Sequence, residues 1–232
     1  MKQRVWVANL RLKKEHLVYL TWGNASEINR EAGLIVIKPS GIDYAVMAPE
    51  DMVLTDLEGN LLEEDSLLPS SDLATHVKIY QSFPRVGAIV HTHSSYAVMW
   101  AQAIRDIPPY GMTQAVAFGG AIPVTQPLSN EQIKKGVEKA TGEMIVKTVE
   151  NREKGYLTVP CCLAAEHGPF IWGTNTTQAI ENAILLEEAA KTALFTEMLN
   201  PDVDVISDEL LEKQYLRKHE KNGFSGLFFR GE

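Results

Sequence analysis

The chain is poor in cysteine, in clustered positive charge and in long apolar runs, and each shortage narrows what it can do. Its only two cysteines are neighbours, Cys161 and Cys162, in a stretch, Val159–Ala165, that reads as a buried strand. Adjacent residues cannot bridge without a strained peptide, so they are read as two small apolar residues in a reducing compartment. Lys and Arg total 22 against 30 Asp and Glu, a formal net charge of −8, without an extended basic block. No nucleic-acid or anionic-membrane surface is expected from that balance. Apolar runs such as Ala97–Trp100 and Ala183–Leu186 fall far short of the roughly 18 residues a bilayer span needs. The start, Met1-Lys2-Gln3-Arg4-Val5-Trp6, leads into no apolar signal segment, so a cytoplasmic location is expected. Apolar residues are plentiful, 45% of 232, enough for the core of a single domain spanning residues 1–232.

Periodicity makes the first third strand-rich. Leu34–Lys38 is apolar and β-branched, and Met52–Asp56 and Asn60–Leu62 flank Glu58-Gly59 as in a hairpin, an antiparallel signature. Ser70-Ser71-Asp72 precedes Leu73, Val77 and Tyr80, the spacing of a short amphipathic helix that Phe83-Pro84 ends. Gly87–His93 reads as a strand and Ser94–Ala103 as a helix. Ser129–Asn151 reads as helical with an interruption near Thr141-Gly142, where Thr141 could cap a second helix. Strands at Val159–Ala165 and Pro169–Trp172 follow, then helices over Thr176–Leu199 and Ser207–His219. The tail, Gly223–Glu232, carries Phe224, Leu227, Phe228 and Phe229 without helical spacing and is expected to dock.

His91-Thr92-His93 sits at a strand end, and alternation points the two imidazoles the same way. A third histidine, His167, lies between two strands and precedes Gly168. Three neutral imidazoles around an open position would make a catalytic zinc site. An isolated His-x-His at a strand end is more often simply solvated, and His167 by itself leaves both readings open. Lys38-Pro39-Ser40-Gly41 directly after a strand and Ser70-Ser71-Asp72 directly before a helix both suit an anion such as phosphate. Each is equally an ordinary turn or N-cap.

Taken together, Thr21-Trp22-Gly23-Asn24, Ile37-Lys38-Pro39-Ser40-Gly41, Pro69-Ser70-Ser71-Asp72, Ile89-Val90-His91-Thr92-His93-Ser94 and Glu166-His167-Gly168-Pro169-Phe170-Ile171-Trp172-Gly173 resemble the class II aldolase and epimerase superfamily. The likeness runs from about Val5 to His219 and is greatest to the bacterial L-ribulose-5-phosphate 4-epimerases. It implies a three-layer α/β/α domain with a central, mostly antiparallel sheet. It implies one Zn2+ per subunit, held by His91, His93 and His167, with Asp72 at the metal. Gly23, Asn24, Lys38, Ser40, Gly41, Ser70 and Ser71 then match contacts to a phosphorylated small sugar, and Glu138 a secondary position. A homotetramer with active sites between subunits is implied as well.

The chain departs from the epimerases at their proton-transfer positions. Their Thr-His-Ala-Asp segment reads Thr113-Gln114-Ala115-Val116 here, their tail tyrosine falls at Phe224-Ser225, and a Lys-His pair reads Lys213-Gln214. Where fuculose-phosphate aldolases carry a catalytic glutamate, this chain has Asp72, the epimerase-type residue. Asp72, His219 and Tyr215 are the expected acid/base groups, with Thr113, Gln114 and Tyr110 as further substitutes. The expected activity is zinc-dependent sugar-phosphate epimerisation by retro-aldol cleavage and re-formation of a C–C bond. The alternatives are an aldolase or decarboxylase on another phosphorylated sugar or sugar acid, and a non-catalytic relative of the adducin head type.

Overall fold

In the computed structural model, residues 1–219 are described. The apolar stretches become the short strands β2 Leu34–Ile37, β3 Val53–Thr55, β4 Ala88–His91, β5 Cys161–Ala164 and β6 Gly168–Gly173, and β1 Asn24–Asn29, largely polar, is a strand that periodicity does not reveal. They hydrogen-bond in the order β3-β2-β1-β4-β6-β5, and every neighbouring pair is antiparallel. Eight helices join them: α1 Lys2–Lys14, α2 Leu73–Ser82, α3 Ser95–Ala103, α4 Met112–Ala117, α5 Asn130–Lys135, α6 Val137–Glu150, α7 Thr176–Leu199 and α8 Asp208–His219.

The sheet is buried on both faces, which is why β2, β4 and β5 read as nearly continuous apolar runs rather than alternating ones. Val36, Val90 and Ile171 pack against Val5 and Leu12 of α1, Trp100 of α3 and Leu186 of α7. Their neighbours Ile35, Ile37, Ile89, Phe170 and Trp172 face the opposite way, onto Val77 and Tyr80 of α2 and Ile145 and Val149 of α6. The α/β/α layering implied by the resemblance is therefore present, with two separate cores divided by one sheet. Cys161 and Cys162 are free and buried, one in each core.

Three local readings need correction. The break in the 129–151 region falls at Gly136, with φ of 127°, and not at Thr141-Gly142. Thr141 Oγ1 donates to the carbonyl of Val137 inside α6 and caps nothing. Gly142 is there for proximity: a Cβ on it would stand 2.8 Å from Lys78 Cβ and 3.1 Å from Thr75 Cα. Gly142→Ala is therefore expected to push α6 off α2 and to cost about 1–3 kcal/mol of stability, read as a lower midpoint in urea denaturation. Asn60–Leu62 is not a strand; it returns through a single bridge, Thr55 to Leu61. The Asp56 carboxylate accepts from the amides of Glu58 and Asn60 and closes that turn. Finally, the strand-rich first third begins with a helix, α1, whose buried side comprises Val5, Ala8, Asn9 and Leu12. The tail from Gly223 onward, including Phe224 and Ser225, lies outside the described residues.

Candidate functional site

β4 ends on His91, and the chain runs on through Thr92 and His93 into α3. His91 lies opposite Phe170 in the β4–β6 register, and its ring stacks on that residue at 4.3 Å. His167 occupies the tight turn between β5 and β6, behind Glu166 at a left-handed φ of 62°. One ligand atom from each of His91, His93 and His167 lies within 4.8 Å of the others. His91 Nδ1 donates to the carbonyl of Pro169 at 3.0 Å, which fixes the ring and turns Nε2 inward. That Nε2 faces His93 Nε2 at 3.1 Å.

Burial pushes the His91 imidazolium down to about 3. Burial and then the neighbouring His167 also lower His93. Three imidazoles with converging ring nitrogens, one of them oriented by a backbone carbonyl, are the donor set that divalent transition ions take. The three residues fit such an ion.

Asp72 stands at the inner edge of this cluster, 9% exposed. It occupies the N-cap position of α2 but makes no side-chain capping bond; the Ser70 carbonyl accepts from Leu73 N instead. The carboxylate takes Asn24 Nδ2 at 2.8 Å and lies 3.9 Å from His91 Nε2. Burial raises the Asp72 carboxyl, but its electrostatic coupling to the His91, His76 and His167 rings and the Asn24 amide bond outweigh it and hold it below the ordinary carboxylate range. Behind it, His76 Nδ1 meets Ser26 Oγ at 2.7 Å, and Ser26 Oγ meets Tyr80 Oη at 2.7 Å.

The anion elements meet at the same place. Ser40 N donates to the carbonyl of Leu68, and Ser70 N to that of Lys38, so the two serine loops lie side by side. Gly23, at φ of 76°, comes so close that a Cβ would stand 2.5 Å from Val18 Cγ1. Lys38 is 1% exposed. Its Nζ donates to the carbonyls of Thr21 and Pro39 and lies 4.8 Å from the centre of the Tyr44 ring. Burial pushes its ammonium down to about 8.

Gly23, Asn24, Lys38, Ser40, Gly41, Ser70, Ser71, Asp72, His93 and His167 line one cleft of about 1200 Å³, with His91 fully buried beneath it. Tyr215 and His219 do not line it. They stack on each other at 4.2 Å on α8, with Tyr215 Oη donating to the carbonyl of Leu157 and His219 Nε2 to that of Val116 on α4. Gln114 is buried and donates to the carbonyl of Ile107, and Tyr110 is bound to Glu197.

Glu187, behind the cleft, and Tyr19, at it, carry no motif that marks them. Glu187 of α7 accepts from Tyr96 N and Ala97 N, pinning the first turn of α3 just after His93. A carboxylate 91 residues from its partner leaves no trace in local spacing. Tyr19 also lines the cleft, and Trp22 packs on His93 with ring centres 5.4 Å apart. Among the described residues, no helix is long and apolar enough to cross a membrane.

The family model for the class II aldolase and adducin N-terminal domain matches residues 3–194. A solved L-fuculose 1-phosphate aldolase is 27% identical, with 92% of this chain and 93% of that one covered and a TM-score of 0.80. L-fuculose-1-phosphate aldolase from Thermus thermophilus is similar at 20% identity, covering 88% and 97%, with a TM-score of 0.68. YgbL from Klebsiella pneumoniae, assigned broadly as an aldolase/epimerase/decarboxylase, is 20% identical over 92% of this chain and 96% of its own, with a TM-score of 0.71. The last two are likenesses of fold.

Proposed function

Because the chain belongs to the class II aldolase and adducin family, we propose that it is a divalent-metal enzyme that cleaves a C–C bond of a phosphorylated ketose by retro-aldol chemistry. The observation that carries this reading is the meeting of a three-imidazole cluster, a buried carboxylate and two serine loops in one cleft. A non-catalytic role of the adducin type has no use for that combination.

Bound at His91, His93 and His167, a divalent ion, zinc in this proposal, supplies Lewis-acid polarisation of the ketose carbonyl. The chain's own groups do the rest. Ser40 and Ser71 hydroxyls with the neighbouring backbone amides hold the phosphate, and Lys38 gives that pocket its positive charge. Asp72 takes up and returns a proton at the carbon or oxygen beside the carbonyl, held in place by Asn24. In the tetramer that the resemblance implies, Tyr215 and His219 serve a neighbouring subunit's cleft rather than their own.

Release of the aldehyde is the net outcome that fits best. Re-forming the bond on the opposite face needs a second proton-transfer group, and the position where epimerases carry an aspartate is Val116. Asp72 in place of the aldolase-type glutamate favours the second reading, epimerisation of L-ribulose 5-phosphate. Zinc-loaded protein given L-ribulose 5-phosphate and L-fuculose 1-phosphate is expected to release aldehyde faster than it makes a 4-epimer. Epimer formed at about 1–10³ s⁻¹ establishes the second reading, and neither product from a panel of phosphorylated ketoses defeats both.

The anion pocket has a separate readout. Ser71→Ala is expected to weaken binding of a sugar phosphate by about 1.5–3 kcal/mol, one charge-assisted hydrogen bond, and to leave metal content unchanged. Lys38 is charged below about 8 and neutral above it, so phosphate affinity falls as pH rises through that value. In Lys38→Met the same titration should be flat. A parent chain that binds a sugar and its phosphate equally, measured calorimetrically, contradicts the assignment.

A further inference from the structure

β1 lies along α2 and meets it through its even-numbered positions, the period-two set that one face of a strand presents. Asn24 Nδ2 donates to Ser70 Oγ at 2.9 Å and to Asp72 Oδ2 at 2.8 Å. Ser26 Oγ meets His76 Nδ1 and Tyr80 Oη, each at 2.7 Å. Ile28 packs against the same core, and Arg30 donates to the carbonyls of Tyr80 and Phe83 at the far end of the helix. Two residues of a strand advance about 6.6 Å and four residues of a helix about 6 Å, so the two elements stay roughly in step along α2. The middle stitch is the one sealed in the interior: Ser26 and His76 are 0% exposed and Tyr80 is 1% exposed.

That stitch is a poor choice for stability alone. His76 Nε2 and Asn24 Oδ1 are buried without a partner among the described residues, and a buried polar atom left unpaired costs about 1–3 kcal/mol. An apolar side chain of imidazole size would fill the same space at no such cost. What the imidazole adds is direction. Apolar burial is non-directional and leaves a helix free to slide by tenths of an ångström along a sheet, whereas a hydrogen bond weakens steeply away from its geometry. Asp72 depends on that difference. Its side chain caps nothing in α2, its carbonyl accepts from His76 N at 3.0 Å, and its carboxylate stands 3.9 Å from His91 Nε2. A slide of the helix therefore carries the carboxylate past the histidines of β4. The His76 ring also meets Phe170 edge-on at 5.9 Å, and Phe170 is the residue on which His91 stacks.

We propose, resting on the reading of the cleft as a retro-aldol centre, that His76 is a positioning residue, bonded to Ser26 so that α2 keeps one register on β1 and the Asp72 carboxylate one place beside the histidine cluster. It touches no substrate and moves no proton. Tyr80 shares the Ser26 hydroxyl, so Ser26 stays paired if the imidazole is lost. β1 thereby serves the site twice, through Asn24 at the carboxylate itself and through Ser26 one helical turn behind it. A displacement of about 1 Å at a reacting group costs about 10²-fold in rate, and loss of an outer partner of a metal site costs about 10–100-fold.

Two substitutions set stability and positioning against each other. His76→Asn keeps a polar atom where Nδ1 meets Ser26, whereas His76→Leu fills the space and removes the bond. The leucine variant is expected to have the higher midpoint in urea and the asparagine variant the higher turnover. With parental metal content in both, His76→Leu should cleave the sugar phosphate about 10–100-fold more slowly than the parent at nearly unchanged KM, and His76→Asn should regain most of that loss. A second readout needs no turnover. The Asn24 side-chain amide protons, bonded to Asp72 and assigned by their absence in Asn24→Asp, should shift in the NMR spectrum of His76→Leu and hold their place in His76→Asn. Parental turnover in His76→Leu overturns the proposal, as do metal lost in step with turnover, a His76→Asn no faster than His76→Leu, or an unmoved Asn24 amide in His76→Leu. A parent chain that cleaves no phosphorylated ketose defeats the retro-aldol reading instead, and the Asn24 amide then decides by itself whether His76 sets the register.

Discussion

A His93→Ala variant is expected to purify with almost no divalent ion and to show no measurable turnover, with the fold intact. His93 is only partly buried, so its removal opens the site without hollowing a core. What is lost is one of three ligand atoms gathered within 4.8 Å. Removing a group that merely orients a ligand costs about 10–100-fold in affinity, and removing the ligand itself costs more. Elemental analysis beside circular dichroism reads the two effects independently. Full metal occupancy in the variant would refute the three-histidine site.

Asp72→Asn is the more discriminating change, with an expected loss of about 10²–10⁴-fold in turnover. The substitution keeps the shape, and an amide oxygen still accepts from Asn24. Because the Asp72 side chain caps nothing in α2, that helix should stay formed, and circular dichroism checks it. The remaining question is whether the carboxylate holds the metal or moves a proton. Metal affinity within about 10–100-fold of the parent, together with the large loss in turnover, assigns it to proton transfer. A metal-free variant assigns it to ligation.

The layered core is legible in the sequence because strand and helix write different periods into it. Gly87–Val90 and the 161–172 region read as apolar runs because both faces of the sheet are covered, and Thr176–Leu199 is bounded by the residues that bound α7. The histidines are legible as a pair because alternation puts His91 and His93 on one side, but His167 joins them only through the pairing of β4 with β6. The helix α1 escapes a reading by periodicity because its short buried stripe lies between many polar residues. Gly142 reads as a break because composition does not tell a glycine that ends a helix from one that lets two helices touch. Lys38 presents the same difficulty in polar form. Its charge suggests a reaching side chain, yet the ammonium is tied down by the carbonyls of Thr21 and Pro39, and that is set by loops far apart in the chain.

The two adjacent thiols give the fold a pair of internal reporters. Because Cys161 lies in one core and Cys162 in the other, a thiol reagent reaches either one only when the layer above it opens. If the helices on both faces leave the sheet in one cooperative event, the two cysteines become reactive at the same rate. If one layer peels away first, as partial unfolding often permits, the side that opens is named by the cysteine that reacts first. The peptide Cys161-Cys162 thus compares the local stabilities of two compartments from positions one residue apart.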